Sequence, residues 1–138
     1  MVFSVPVTVR GYELDTQGHL NQAVYLQYTE HARWELLRAA GIGQNDLIAG
    51  GIGPVVLEAN LKFLRELRGG EEVDVSCELQ WAEGKVFQFK QQIVKKDGTV
   101  CADAVIVGGI LDLAARKLVP NPAERLAAVA SDPAVLGI

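Results

Sequence analysis

One stretch limits the fold more than any other: Gln22 to Ala40 runs nineteen residues without glycine or proline and ends at Gly41. Such a run predicts a single long helix with a glycine stop. Within it Tyr25, Tyr28, Ala32, Leu36 and Ala39 recur at spacings of three and four, which predicts one buried stripe. Leu26 and Leu37 flank that stripe, with Glu30 and Arg33 between them, so the helix is expected to be largely wrapped by protein. The rest of the chain supplies the wrapping, and its period is two. Residues 3–10 set Phe3, Val5, Val7 and Val9 against Ser4, Pro6, Thr8 and Arg10, a half-buried strand that Pro6 assigns to an edge. Val55, Leu57, Ala59, Leu61 and Phe63 alternate with Glu58, Asn60 and Lys62, and Val73 to Trp81 alternates without error. Phe87, Phe89 and Ile93 follow, and Asp97-Gly98 is a hairpin dipeptide leading into the apolar stretch Val100 to Leu113. A short helical turn is expected around Asp46 to Ile48 and a C-terminal helix from about Pro122 to Ala130.

These elements sum to an α+β domain over residues 1–138, a curved antiparallel sheet of about five strands wrapped around one long central helix. A domain of this length buries roughly 68% of the surface its unfolded chain exposes, so no covalent or metal staple is required. The sheet would leave its edges open, and the strand from Val100 is apolar at nearly every position, so a homodimer or a dimer of dimers is the expected completion. With 49% apolar and 22% charged residues, and no apolar window near the roughly 20 residues of a membrane span, no membrane partner is expected. The opening MVFSVPVTVRGYELD lacks the pattern of a secretory peptide, which makes the cytoplasm the expected location. Cys77 and Cys101 stand far apart and are expected as buried thiols. A formal charge of -4 and a pI near 5.1 disfavour nucleic acid as a partner.

The chemistry concentrates in Tyr12-Glu13-Leu14-Asp15-Thr16-Gln17-Gly18-His19-Leu20-Asn21-Gln22-Ala23-Val24-Tyr25, the polar loop that feeds the long helix. This segment resembles the signature of hotdog-fold acyl thioesterases of the 4-hydroxybenzoyl-CoA thioesterase type, and the order of elements agrees along almost the whole chain. The resemblance implies that Asp15, three residues before Gly18, is the catalytic carboxylate of an enzyme acting on an acyl-CoA or acyl-carrier-protein thioester. Gly18, His19 and Asn21 match the G-H-x-N continuation, and Glu13 matches an acid found in many relatives. Gln22 stands where some relatives carry a second asparagine. Coenzyme A would be part of the substrate, so no bound cofactor is expected, and no histidine pair or H-E-x-x-H offers a metal site.

The physical reading agrees with that expectation. A thioester carbonyl attacked by oxygen gathers negative charge, which free N–H groups at a helix start can stabilise, and the amides of Gln22 and Ala23 are the candidates. Asp15 could attack the carbonyl or deprotonate a water, since carboxylates do both. Gly18 permits a tight turn and close approach of a ligand. His19 is a candidate to bind substrate or orient the loop, Asn21 to cap the helix or touch substrate, and Tyr25 to contact substrate from the helix. Glu30 is a reserve catalytic acid and Arg33 a substrate contact; the plainer alternative is an intrahelical ion pair between them. Asn60 or Glu58 could reach the site across a dimer interface. Lys62, Arg65 and Arg68 could meet the phosphates of coenzyme A or a phosphopantetheine carrier.

Two rival functions fit the same fold: a dehydratase or hydratase of acyl thioesters, and a non-catalytic acyl-binding module. The first usually needs a histidine base, and only His19 and His31 exist. Gly-x-Ser-x-Gly is absent, which disfavours a serine nucleophile.

Overall fold

The computed structural model, which describes residues 2–138, turns each period-two segment into a strand of one antiparallel sheet. In chain order the elements are β1 (Phe3–Thr8), α1 (Gln22–Ala39), α2 (Gln44–Ala49), β2 (Ile52–Phe63), β3 (Glu72–Gln80), β4 (Val86–Lys95), β5 (Val100–Asp112), β6 (Lys117–Leu118) and α3 (Pro122–Val129). The sheet runs β1-β3-β4-β5-β2, with the two-residue β6 beside β5. The meander β3-β4-β5 therefore forms the middle, and β1 with its proline lies at an edge, as the alternation predicts. β6 has no sequence signal of its own, because two residues are too few to show a period.

The helix lies on one face of this sheet and packs against β1, β3 and β4. Tyr25, Tyr28, Ala32 and Leu36 are buried there as expected, but Ala39 is exposed and Ala40, one residue later, is fully buried as the chain turns away. Gly41 makes that turn with φ +79°, and a Cβ built on it would meet the Ser131 Oγ at 1.7 Å, so glycine is required both for its backbone and for its size. Both thiols, Cys77 and Cys101, are buried.

Two departures from the sequence reading shape the site. First, the helix is not wrapped all round: Leu26 and Trp34 on α1, and Val56 and Phe63 on β2, remain between 36% and 53% exposed along the flank where helix and edge strand face each other. Second, β2 carries a bulge between Val56 and Glu58. Ala59, Leu61 and Phe63 lie opposite the buried Ile106, Ala104 and Ala102 and so share the helix-facing side. The extra residue breaks the strict alternation, and Val56, opposite Gly108, replaces Leu57 on that side. The period of two could not reveal the bulge because Val55, Val56 and Leu57 are all apolar.

Candidate active site

The loop between β1 and α1 is closed by backbone pairing before any side chain is considered. Asn21 N–H donates to Glu13 O (2.9 Å), Asp15 N–H to His19 O (2.7 Å) and Gly18 N–H to Asp15 O (3.1 Å), while Leu14 and Leu20 form a bridge across the loop. Gly18 has φ +77° with open space where its Cβ would stand, so it serves the turn through its backbone rather than through tight packing. Leu20 N–H donates to Leu67 O (2.7 Å), which ties this loop to the connection between β2 and β3.

Beneath the loop Glu13 acts as a clamp. Its buried carboxylate accepts from the Tyr28 hydroxyl (2.6 Å), the Arg10 backbone N–H (2.9 Å) and the Arg10 Nη1 (2.7 Å). Burial pushes this carboxyl up, but the Tyr28 and Arg10 hydrogen bonds outweigh it and hold Glu13 below the ordinary glutamate value. Burial, with the same Glu13 contact added to it, pushes the Tyr28 hydroxyl far up. Asp15 thus rises from a loop whose root is fixed to the helix it faces.

Asp15 itself is exposed, and its two oxygens differ. Oδ1 accepts from the backbone N–H groups of Gln17 (2.9 Å) and His19 (3.1 Å), whereas Oδ2 has no partner among the described residues. The His19 N–H, then that of Gln17, holds the carboxyl below its ordinary value, so Asp15 is anionic at neutral pH. It lines an open cavity of about 460 Å³ together with His19, Leu20, Asn21, Gln22, Tyr25, Phe63, Arg65 and Glu66. Tyr25 stands at its wall, its hydroxyl donating to Arg65 O (3.0 Å) and its ring edge-on to Phe63 at 5.1 Å. Burial pushes the Tyr25 hydroxyl up to about 12, so it stays a neutral donor.

The helix start corrects one expectation. The Asn21 side chain caps α1 by accepting from Ala23 N–H (3.0 Å), and Val24 N–H donates to Asn21 O (2.9 Å). Ala23 is therefore not the free amide that the sequence suggested. The Gln22 N–H has no acceptor among the described residues, and Gln22 lines the cavity at the helix start, where the dipole is positive.

The other predicted residues separate into those the fold gathers and those it does not. Gly18, His19, Asn21, Tyr25 and Arg65 are gathered around Asp15. Glu30 and Arg33 are not: they line a second cavity farther along α1, and no ion pair joins them. Arg33 donates instead to Thr29 Oγ1 (3.2 Å) and Gln91 Oε1 (3.0 Å), having snorkelled inward toward the sheet rather than outward to Glu30. Asn60 and Lys62, with Glu58, sit on the outer face of the sheet beside Gln88 and Asp103, because β2 alternates and Phe63 takes the inner side. Within one protomer they do not reach Asp15. Glu66 was missed by the sequence reading: it lies inside the basic run LKFLRELR, pairs with the His19 Nε2 and lines the Asp15 cavity. An acid among three bases was its only signal. Among the described residues no cluster of three metal-ligating side chains occurs, and no helix is long and apolar enough to cross a membrane.

A sequence profile described as the thioesterase-like superfamily matches residues 9–129, which include the whole loop, the helix and every long strand except β1. The chain belongs to the thioesterase-like superfamily. Within that superfamily it is 34% identical over 112 residues to the long-chain acyl-CoA thioesterase FadM of Escherichia coli K12, covering 80% of this chain and 84% of that one. It is also 34% identical over 91 residues to the acyl-acyl carrier protein thioesterase ATL3, chloroplastic, of Arabidopsis thaliana, covering 66% of this chain but 48% of that protein. The crystal structure of YbaW, a probable thioesterase from Escherichia coli, superposes with a TM-score of 0.81 at 30% identity, over 93% of this chain and 98% of that one. The fold is the hotdog fold of these thioesterases, a sheet curled about the long helix.

Proposed function

We propose that this protein hydrolyses the thioester of an acyl-CoA or an acyl carrier protein, with Asp15 as general base. The observation that carries the reading is the asymmetry of Asp15: one oxygen is fixed by two backbone N–H groups, and the other stands bare in the cavity at a helix start. The bare oxygen takes a proton from a water that attacks the thioester carbon. The carbonyl oxygen, gathering charge, accepts from the Gln22 N–H at the positive end of α1. Collapse expels a thiolate, a stable leaving group because an ordinary thiol has a pKa of about 8.5, and the thiolate takes the proton back from Asp15 to leave as the free thiol. No metal and no resident cofactor enters this scheme.

The relatives named for long-chain acyl-CoA and acyl carrier protein substrates support the choice of substrate class. Arg65 lines the cavity wall, which supports a role for it in meeting a phosphate of coenzyme A or of a phosphopantetheine arm, whereas Lys62 lies on the outer face. A dehydratase is disfavoured by the placement of the histidines. His31 lies among Trp34, Glu35 and Arg38, away from Asp15, and the His19 ring is engaged by Glu66.

The test is steady-state thiol release from a panel of acyl-CoAs by wild type and Asp15→Asn, with circular dichroism confirming the fold. A positioned general base contributes about 10²- to 10⁴-fold, and a loss of that size is expected in the variant. Equal rates would remove Asp15 from the chemistry. Single-turnover hydrolysis in heavy-oxygen water is expected to leave Asp15 unlabelled; label in its carboxylate would make it the nucleophile instead.

A further inference from the structure

The aim of the bare Asp15 oxygen depends on where the other oxygen is tied. Oδ1 accepts from the N–H groups of Gln17 and His19, and the Asp15 N–H donates back to His19 O. His19 thus holds Asp15 through both of its backbone groups, and any shift of His19 carries the carboxylate with it. His19 is held in turn from outside the loop, by the connection between β2 and β3. Its backbone forms a bridge with Arg68, the N–H of the next residue, Leu20, donates to Leu67 O (2.7 Å), and its ring Nε2 pairs with the Glu66 carboxylate. The first two ties are backbone contacts and follow from the path of the chain. The third is made by side chains, and it is the one that a substitution can sever.

Glu66 is itself anchored. Its Oε2 takes His19 while its Oε1 takes the Arg68 Nη2 (3.3 Å), and the residue before it is pinned to α1 by the Tyr25 hydroxyl on Arg65 O (3.0 Å). Two observations set this carboxylate apart from an ordinary surface acid. The His19 side chain is only 24% exposed, so its ring is lodged between loop and connection. Glu66 also lines the cavity beside Arg65, where a negative charge opposes an anionic substrate, so substrate binding does not account for it. An exposed ion pair adds little to stability, so folding does not account for it either. We propose that Glu66 is a positioning residue: by holding the His19 ring it fixes the backbone N–H that orients Asp15. The inference rests on the proposed hydrolysis at Asp15. In this role Glu66 contacts neither the thioester nor the attacking water, and its removal acts on kcat rather than on KM. A reacting group misplaced by about 1 Å costs roughly 10²-fold in rate, and a loosened loop that still samples the productive position costs less.

The experiment measures kcat and KM for thiol release from the acyl-CoA that wild type turns over fastest, with urea unfolding alongside. Wild type is compared with Glu66→Ala, Glu66→Gln, His19→Ala and the double variant Glu66→Ala/His19→Ala. The expected result is a kcat lower by about tenfold in Glu66→Ala, with KM within about twofold and the unfolding midpoint unchanged. Glu66→Gln, which keeps an acceptor for the His19 Nε2, should recover most of the rate. His19→Ala should match Glu66→Ala, and the double variant should lose no more than either, because both substitutions cut the same contact. An unchanged kcat in Glu66→Ala overturns the positioning role and leaves the hydrolase intact. So does a change confined to KM, a Glu66→Gln no better than Glu66→Ala, or losses that multiply in the double variant. A loss in His19→Ala far beyond that of Glu66→Ala overturns it too, by making the ring a participant in the chemistry. A wild type silent on every acyl-CoA overturns the proposed hydrolysis and this role with it.

Discussion

Asp15 and Glu13 are two residues apart and do opposite things with the same functional group. Asp15 is exposed and half engaged, and the backbone N–H of His19, followed by that of Gln17, lowers its pKa from 3.8. A base lowered in this way is fully charged across the neutral range. The acid limb that Asp15 contributes to the kcat/KM profile is therefore expected below pH 3.8, reached only where the fold survives, and a limb assigned to Asp15 above pH 5 would contradict the two backbone hydrogen bonds. Glu13 is buried and fully engaged, and its pKa also lies below the ordinary value of 4.5. The sign follows from linkage. A carboxyl lowered by folding stabilises the protein above its unfolded pKa, and that stability is lost as pH falls through the folded one. Glu13→Gln is accordingly expected to lower stability at pH 7 and to flatten the loss between pH 5 and the acid transition, read by urea unfolding at a series of pH values. A variant that parallels wild type over that range would show the Arg10 and Tyr28 contacts to be without consequence.

At the scale of elements, the start of α1 decides which amide can serve the reaction. Asn21 spends its side chain on Ala23, so Asn21→Ala should cost about 1 kcal/mol of stability, as helix caps do. Thiol release by the folded fraction should change little, because the cap occupies the Ala23 amide and not that of Gln22; a hundredfold loss would mean that the cap itself orients the oxyanion donor. These elements were legible in the sequence to very different degrees. The long helix and the five strands announced themselves by period, since a helix stripe and a half-buried strand each repeat one chemical choice many times. The Asp15 loop was legible through its motif. The Asn21 cap was legible too, though not that it would occupy the Ala23 amide; what escaped were features made by one or two residues, the bulge at Leu57, hidden among apolar neighbours, and the place of Arg33, which spacing set beside Glu30 but which packing drew toward Gln91 on β4. Glu66 escaped for a related reason, because its partnership with His19 spans two loops that meet only in the folded chain.

For the whole molecule, the two edges of the sheet are not alike. β1 is six residues long and carries Pro6, which blunts pairing with another strand. β2 is twelve residues long, and beside the exposed Val56, Leu57 and Phe63 the chain continues into an exposed Leu64. A long apolar edge of this kind is open to pairing, and a second copy offers an identical strand in the geometry of a twofold axis. The expectation is a homodimer, or a dimer of dimers, joined along β2 with an interface above about 1,000 Å². Sedimentation at micromolar concentration should find no folded monomer in wild type, and Leu57→Lys should shift the population to monomer while the spectrum of the fold persists. Dimerisation also decides the fate of Asn60, which within one protomer lies on the face away from Asp15. If β2 pairing carries it toward the partner's cavity, Asn60→Ala lowers kcat/KM in the dimer; an unchanged value assigns it to the solvated face. A wild type that sediments as a stable monomer and releases thiol at full rate would show that the open flank of α1 needs no second chain, and the exposed edge of β2 would then want another explanation.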